Sequence, residues 1–212
     1  MNRVSFLIDG FNLYHSVKGA ARQLNVKSVK WLNISSLCSS YLYLFGKDAV
    51  LKEIHYFSAL ARHLDKYDPG KVQRHEDFIK CLQSTSIKIE LASFKRKMIK
   101  CPFCHRAITR YEEKETDVAI SVRLFELFHL DLCDTVVLMT GDTDVVPAIQ
   151  LVKNLFPEKI IGCAFPFNRK NYKISQIVDQ HFKISSKQYV NHQFPNSVKL
   201  VDGTVINKPD NW

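Results

Sequence analysis

Two short apolar runs end in acid. Val4-Ser5-Phe6-Leu7-Ile8 stops at Asp9-Gly10, and Thr135-Val136-Val137-Leu138-Met139-Thr140 stops at Gly141-Asp142-Thr143-Asp144. Runs this brief and this continuously apolar suit strands covered on both faces, the habit of parallel sheets. Around them the period turns helical. Residues 11–24 place Leu13, Val17 and Ala21 four apart, and residues 73–83, 145–155 and 172–182 read the same way. Asn33 is placed to cap a helix holding Ile34, Leu37, Leu42 and Leu44. Residues 53–60, 87–94 and 159–165 read as further strands, with a short one at 182–184. Strands alternating with helices predict an α/β fold built on a parallel sheet with right-handed crossovers.

The longest helical pattern is 112–130, with an apolar stripe through Val118, Val122 and Phe125. Residues 95–111 break the pattern: they are polar, basic and irregular, and read as a cysteine-containing insertion. Near the end, 198–201 and 204–206 flank Asp202-Gly203, which predicts a hairpin closed by a two-residue turn. The expected organisation is one domain over 1–185 and a hairpin tail over 186–212.

Ligands of open α/β sheets bind beyond the carboxyl ends of the strands. If the two acid-terminated strands are neighbours, Asp9, Asp142 and Asp144 meet at one sheet edge. Asp117, at the start of a long helix, joins them if that helix leads into the sheet beside them. Taken singly, each acid has a plainer role: a turn, a helix cap, or a favourable charge at a helix N-terminus. Gathered together they repel, and a hard divalent cation such as Mg²⁺ or Mn²⁺ relieves the repulsion through oxygen ligands.

The net charge supports a polyanionic partner. Thirty Lys and Arg stand against 21 Asp and Glu, a balance of +9, and cationic surfaces attract nucleic acid by releasing counterions. No apolar run is long enough for a secretory core or a membrane span. The expectation is therefore a cytoplasmic chain, with no membrane partner and reduced cysteines.

Ile-Asp-Gly-Phe-Asn-Leu-Tyr at 8–14, Glu-Lys-Glu-Thr-Asp-Val at 113–118 and Thr-Gly-Asp-Thr-Asp-Val-Val-Pro at 140–147 together resemble the NYN domain. That is a branch of the PIN-like nucleases, here nearest the LabA-like group. The Ile-Gly-Cys-Ala-Phe strand, the helix holding Ser175 and Asp179, and Phe182 extend the resemblance over roughly residues 3–185. It implies a PIN-like three-layer α/β/α fold with a central, mostly parallel sheet, one or two Mg²⁺ or Mn²⁺ ions, and hydrolysis of RNA phosphodiesters. By position, Asp9, Asp117, Asp142 and Asp144 would be the acidic ligands, and Asn12 would hold a ligand water or a phosphate. The family's usual small residue before the helical acid is Thr116 here, and Thr143 separates the last two acids; neither departure removes a carboxylate.

Cys101-Pro102-Phe103-Cys104 has the spacing of half a zinc site. Two more ligands are needed, from Cys81, His105, Cys133 or a partner chain; the plain alternative is a reduced turn. Cys38, Cys133 and Cys163 lie in apolar runs and read as core. Lys95, Arg96, Lys97, Arg110 and Lys114 surround the cysteine turn and precede Asp117, so they are candidates for holding RNA, with Phe103 or Tyr111 stacking on bases. Arg169 and Lys170 follow a strand end and are further phosphate candidates. Two rivals to a ribonuclease stay open: a non-catalytic RNA-binding or regulatory module, and a metal-dependent phosphatase of small molecules. The tail, with Pro209 and Trp212, packs either on its own core or on a second subunit, as in a homodimer.

Overall fold

A computed structural model describes all 212 residues. The strands are β1 (Asn2–Asp9), β2 (Ala49–Ala59), β3 (Lys88–Lys100), β4 (Ala107–Lys114), β5 (Thr135–Met139), β6 (Ile160–Phe165) and β7 (Gln180–Lys183). They form one sheet in the order β4-β3-β2-β1-β5-β6-β7. Every neighbouring pair is parallel except β3 and β4. The helices are α1 (Gly10–Leu24), α2 (Ile34–Ser39), α3 (Lys71–Gln83), α4 (Thr116–His129), α5 (Val146–Leu155), α6 (Tyr172–Ile177) and α7 (Ser186–Asn191).

The two central strands show why the sheet is covered on both sides. Successive side chains point to opposite faces. Val4, Phe6 and Ile8 of β1 join one core with Val137 and Met139 of β5, together with residues of α1, α2, α3 and α7. Leu7 of β1 joins a second core with Val136 and Leu138 of β5, together with residues of α4, α5 and α6. Helices on two faces of one sheet make the three layers. Phe6 is fully buried, and truncating such a side chain to alanine costs roughly 3–5 kcal/mol.

Several elements differ from the expectation. Residues 95–111 are regular: β3 runs on to Lys100 and returns as β4, paired from Ser93–Lys114 to Lys100–Ala107. This ribbon is exposed on both faces beyond Lys95, so it lacks the apolar alternation that marks a strand, and the backbone ladder alone defines it. α4 starts at Thr116, because β4 occupies the residues before it. Its buried face carries Thr116, Ile120, Leu124, Leu127 and Phe128, while Val118 and Val122 are 65% and 60% exposed. Asn33 does cap α2, accepting from the Ser36 N–H at 3.0 Å, but the helix ends at Ser39 and a 3-10 turn holds Leu42–Phe45. The pattern over 172–182 divides into α6 and β7.

The last residues pack on their own chain. Trp31 is fully buried; its indole N–H donates to the Pro195 carbonyl at 2.8 Å, and its ring meets Phe194 and Trp212 at 5.8 and 6.1 Å. Val198 and Ile206, from β8 (Ser197–Lys199) and β9 (Val205–Asn207), join the same core. The hairpin therefore exists, but residues 200–204 form a wider loop than a two-residue turn. No helix is long and apolar enough to cross a membrane. All six cysteines are free, and Cys38, Cys81, Cys133 and Cys163 are buried.

Candidate active site

β1 and β5 are neighbours, with Ile8 opposite Met139. The chain therefore leaves the sheet twice at one edge, and Asp9 and Thr140 emerge side by side. The Thr140 hydroxyl donates to Asp9 Oδ2 and the Asn12 backbone N–H donates to Asp9 Oδ1, each at 2.9 Å. Asp9 thus caps α1 as well as facing the site. The Asp142 N–H donates to Thr140 Oγ1 at 3.1 Å, and the Asp144 N–H donates to Asp142 Oδ1 at 3.1 Å. Asn12 Oδ1 accepts from the Gly141 N–H at 3.2 Å, tying the two acid-bearing turns together.

Glycine at 141 is a packing requirement. A Cβ there would stand 2.0 Å from the Arg169 carbonyl oxygen. The bare backbone lets the loop after β6 close over the acid turn, and this brings Arg169 to the site.

α4 supplies the next side chain. Glu115 precedes it in a left-handed conformation, φ 81°, and the helix packs against β1 and β2. The buried Thr116 hydroxyl donates to the Glu113 carboxylate, and Asp117 occupies the first turn. Asp9, Asn12, Asp117, Asp142 and Arg169 line one cavity of about 240 Å³, together with Phe11, His15, Glu113, Glu115 and Thr116. Asp144 lies outside this lining, yet its charge is among those acting on Asp117.

The cavity opposes ionisation. Burial raises Asp9, with the Asp142 charge adding and the Asn12 and Thr140 hydrogen bonds resisting. Burial, then Asp142, Asp9 and Asp144, raise Asp117 to about 6. Burial, with Asp9 and Asp117, raises Glu113 to about 7 against the pull of Thr116. Five carboxylates and one guanidinium line the space, so the site is acidic in a chain of net charge +9.

This donor set fits a hard divalent cation: it is all oxygen, unevenly neutralised and partly desolvated. The side chains are not drawn around a single point, and no three His, Cys, Asp or Glu form a ready-made ion cage anywhere in the chain.

The other candidates are dispersed. Arg169 lines the cavity; Lys170 and the five cations of the hairpin do not. Three of those five face carboxylates: Lys95 with Glu115 at 3.5 Å, Lys97 with Glu112 at 3.5 Å, and Lys114 with Glu112 at 3.0 Å. Arg96 and Arg110 are exposed. Tyr111 is already stacked on His63, with ring centres 4.0 Å apart, whereas Phe103 at the ribbon tip is 93% exposed. Cys101 and Cys104 sit in the turn between β3 and β4, and no third ligand joins them in an ion-holding group. Asp179 lies past the end of α6, pairing with Lys153 and accepting from the Ile161 N–H at 2.8 Å. Glu113 was missed from sequence because its orientation depends on β4 being a strand. His15 was missed because only the packed helix shows that it shares the cavity with Asn12, one turn away.

The NYN domain matches residues 3–187. No curated protein sequence matches the chain. Among solved structures, the fold is similar to that of a protein of unknown function from Vibrio parahaemolyticus. The identity is 15% and the TM-score 0.55, over 87% of this chain and 93% of that one. The S. aureus MnaA–UDP structure aligns at 15% identity and a TM-score of 0.39, over 91% of this chain and 41% of that one.

Proposed function

The chain belongs to the NYN domain family, and from that premise we propose that it is a metal-dependent ribonuclease. One observation carries the reading: a basic chain gathers Asp9, Asp117 and Asp142 in a single cavity with Arg169 at its edge. A phosphodiester comes up against these acids in a reactive position only when they are neutralised. Asp9, Asp117, Asp142 and Asp144 are the residues that would hold Mg²⁺ or Mn²⁺. When bound, the ion supplies Lewis-acid activation of water and neutralises charge developing on the phosphate.

The chain's own groups do the rest. Asn12 orients water or a phosphate oxygen while its carbonyl oxygen braces Gly141. Arg169 contacts the phosphate from the far side of the acid turn. Glu113, in the same cavity, takes the proton of the attacking water. Arg96, Arg110 and the paired lysines of the ribbon hold the flanking RNA.

The test is incubation of total cellular RNA with Mg²⁺ or Mn²⁺ beside an Asp142→Asn control, followed by sequencing of the products. Cleavage by wild type and none by the variant is the expected result. RNA left intact but bound equally by both proteins points to a non-catalytic module. Turnover of a nucleotide or sugar phosphate with RNA untouched points to a phosphatase.

A further inference from the structure

Beside the acidic site lies a larger cavity of about 380 Å³, within the ~300–1,000 Å³ range of small-molecule pockets. Phe11 and His15 line both spaces. The larger one is walled by aromatic rings, among them Tyr14, Phe78, Phe94 and Trp212. Flat apolar walls of this kind suit an aromatic ligand.

Its polar lining is cationic. Lys30, Lys71 and Arg74 reach it, opposed by Asp68. Arg74 is committed to Asp68 at 2.6 Å, whereas Lys30 and Lys71 have no carboxylate partner. The Lys30 ammonium lies 5.9 Å from the Tyr14 ring centre and 5.6 Å from that of Trp212, and Lys18 lies 5.5 Å from Tyr14. Burial and the nearby Lys18, Lys71 and Arg74 charges hold Lys30 below its ordinary range. A gap left by imperfect packing between core and tail would be apolar throughout. This one places crowded, unmatched cations beside aromatic rings, which is the chemistry of a nucleotide: a base to stack and an anion to neutralise.

We propose that this cavity holds a base of the RNA strand whose phosphate reaches the acidic site, with Lys30 and Lys71 on a neighbouring phosphate. The shared wall of Phe11 and His15 favours a continuous strand over a free mononucleotide. The strand rests on the ribonuclease reading; the fit of base and anion to the cavity does not. A base held here would fix which nucleotide flanks the cut, giving the site a sequence preference that the acids alone lack.

The experiment measures binding without catalysis. Octaribonucleotides of A, C, G or U are titrated into the full chain in EDTA, and tryptophan fluorescence is followed. Trp212 lines the cavity and Trp31 is fully buried, so the expected quenching is lost in Trp212→Phe. One octamer binds more tightly than the others. Lys30→Glu with Lys71→Glu weakens it about tenfold or more at low salt and lowers the salt slope by about 0.7, as the loss of one phosphate contact on a single strand requires. Tyr14→Ala weakens it and Tyr14→Phe restores it, with melting temperatures recorded throughout. If wild type cuts RNA while these folded variants bind and cut at the same positions as wild type, the cavity assignment is overturned and the nuclease stands. If wild type never cuts but the octamer still binds and quenches, the nuclease reading fails and the cavity assignment stands. A mononucleotide that binds as tightly as the octamer overturns the strand assignment.

Discussion

The strand pair β1–β5 carries aspartates at both ends, and the two ends treat them oppositely. At the amino end, the Arg3 backbone N–H and guanidinium donate to Asp134 at 2.8–3.0 Å. The same guanidinium reaches Asp131 at 2.9 Å, and Lys159 joins Asp131 at 2.6 Å. Arg3 holds Asp134 well below the usual carboxylate range. At the carboxyl end, Asp9 has the Thr140 hydroxyl and the Asn12 backbone N–H, Asp117 faces other carboxylates, and both are pushed up. Two acids matched by two cations make a clasp. Acids gathered without matching cations raise one another, and perturbed carboxylates clustered in a cleft mark a candidate functional site.

The largest expected effect concerns catalysis. Asp9→Asn or Asp142→Asn lowers RNA cleavage by about 100-fold or more with little change in folding, since each removes a carboxylate proposed to hold the ion. Asp134→Asn leaves the rate within about twofold; an equal loss there erases the contrast. Initial rates at saturating Mn²⁺ decide it.

Metal binding comes next. Saturating Mn²⁺ at about 100 times Kd stabilises wild type by ~2.7 kcal/mol. For a chain of this size that raises the melting temperature by roughly 5–11 °C. The shift shrinks in Asp142→Asn and persists in Asp134→Asn. An equal shift in all three removes the acidic end as the binding place.

The two ends also differ in sign with pH. A carboxyl raised on folding stabilises the protonated native state, so its contribution is present at low pH and lost as pH rises. For metal-free protein the loss runs from 3.8 to about 6 through Asp117 and from 4.5 to about 7 through Glu113. Asp134 is depressed, so its contribution is present above 3.8 and lost as pH falls further. The melting temperature in EDTA therefore declines by a few degrees from pH 5 to 7.5, and Asp142→Asn flattens the decline by removing a charge that raises Asp9 and Asp117. A rising curve over that range contradicts this account. The smallest effect is on the ribbon: Arg96→Ala or Arg110→Ala weakens RNA binding by about two- to threefold at low salt and less at high salt, as screening of exposed charges requires. Filter binding at two ionic strengths checks it.

The strand ends were legible because a run buried on both faces must be apolar and the acid that ends it stands out. That reasoning located Asp9, Asp142 and Asp144 at turns, and α1 and β5 followed their periods closely. The ribbon was illegible for the converse reason: with both faces in water, Lys95 to Tyr111 have no apolar alternation, and pairing with a distant strand makes them regular. The stripe through Val118 and Val122 misled because strand β4 ends at Lys114 and sets the phase in which α4 meets the sheet, turning Ile120 and Leu124 inward instead.

The sequence by itself determined an α/β chain with acid after two buried strands, since burial and turn chemistry are local demands on residue type. Tertiary structure alone decided that β1 lies beside β5, that α4 presents Asp117 to the same cavity, and that Glu113, His15 and Arg169 join it. Those are matters of strand order and of close approach, such as Gly141 against the Arg169 carbonyl at 2.0 Å for an added Cβ. Strand order also separated the two kinds of aspartate: whether a carboxylate stands beside Arg3 or beside another carboxylate depends on which residues meet across the sheet, and no local pattern records that.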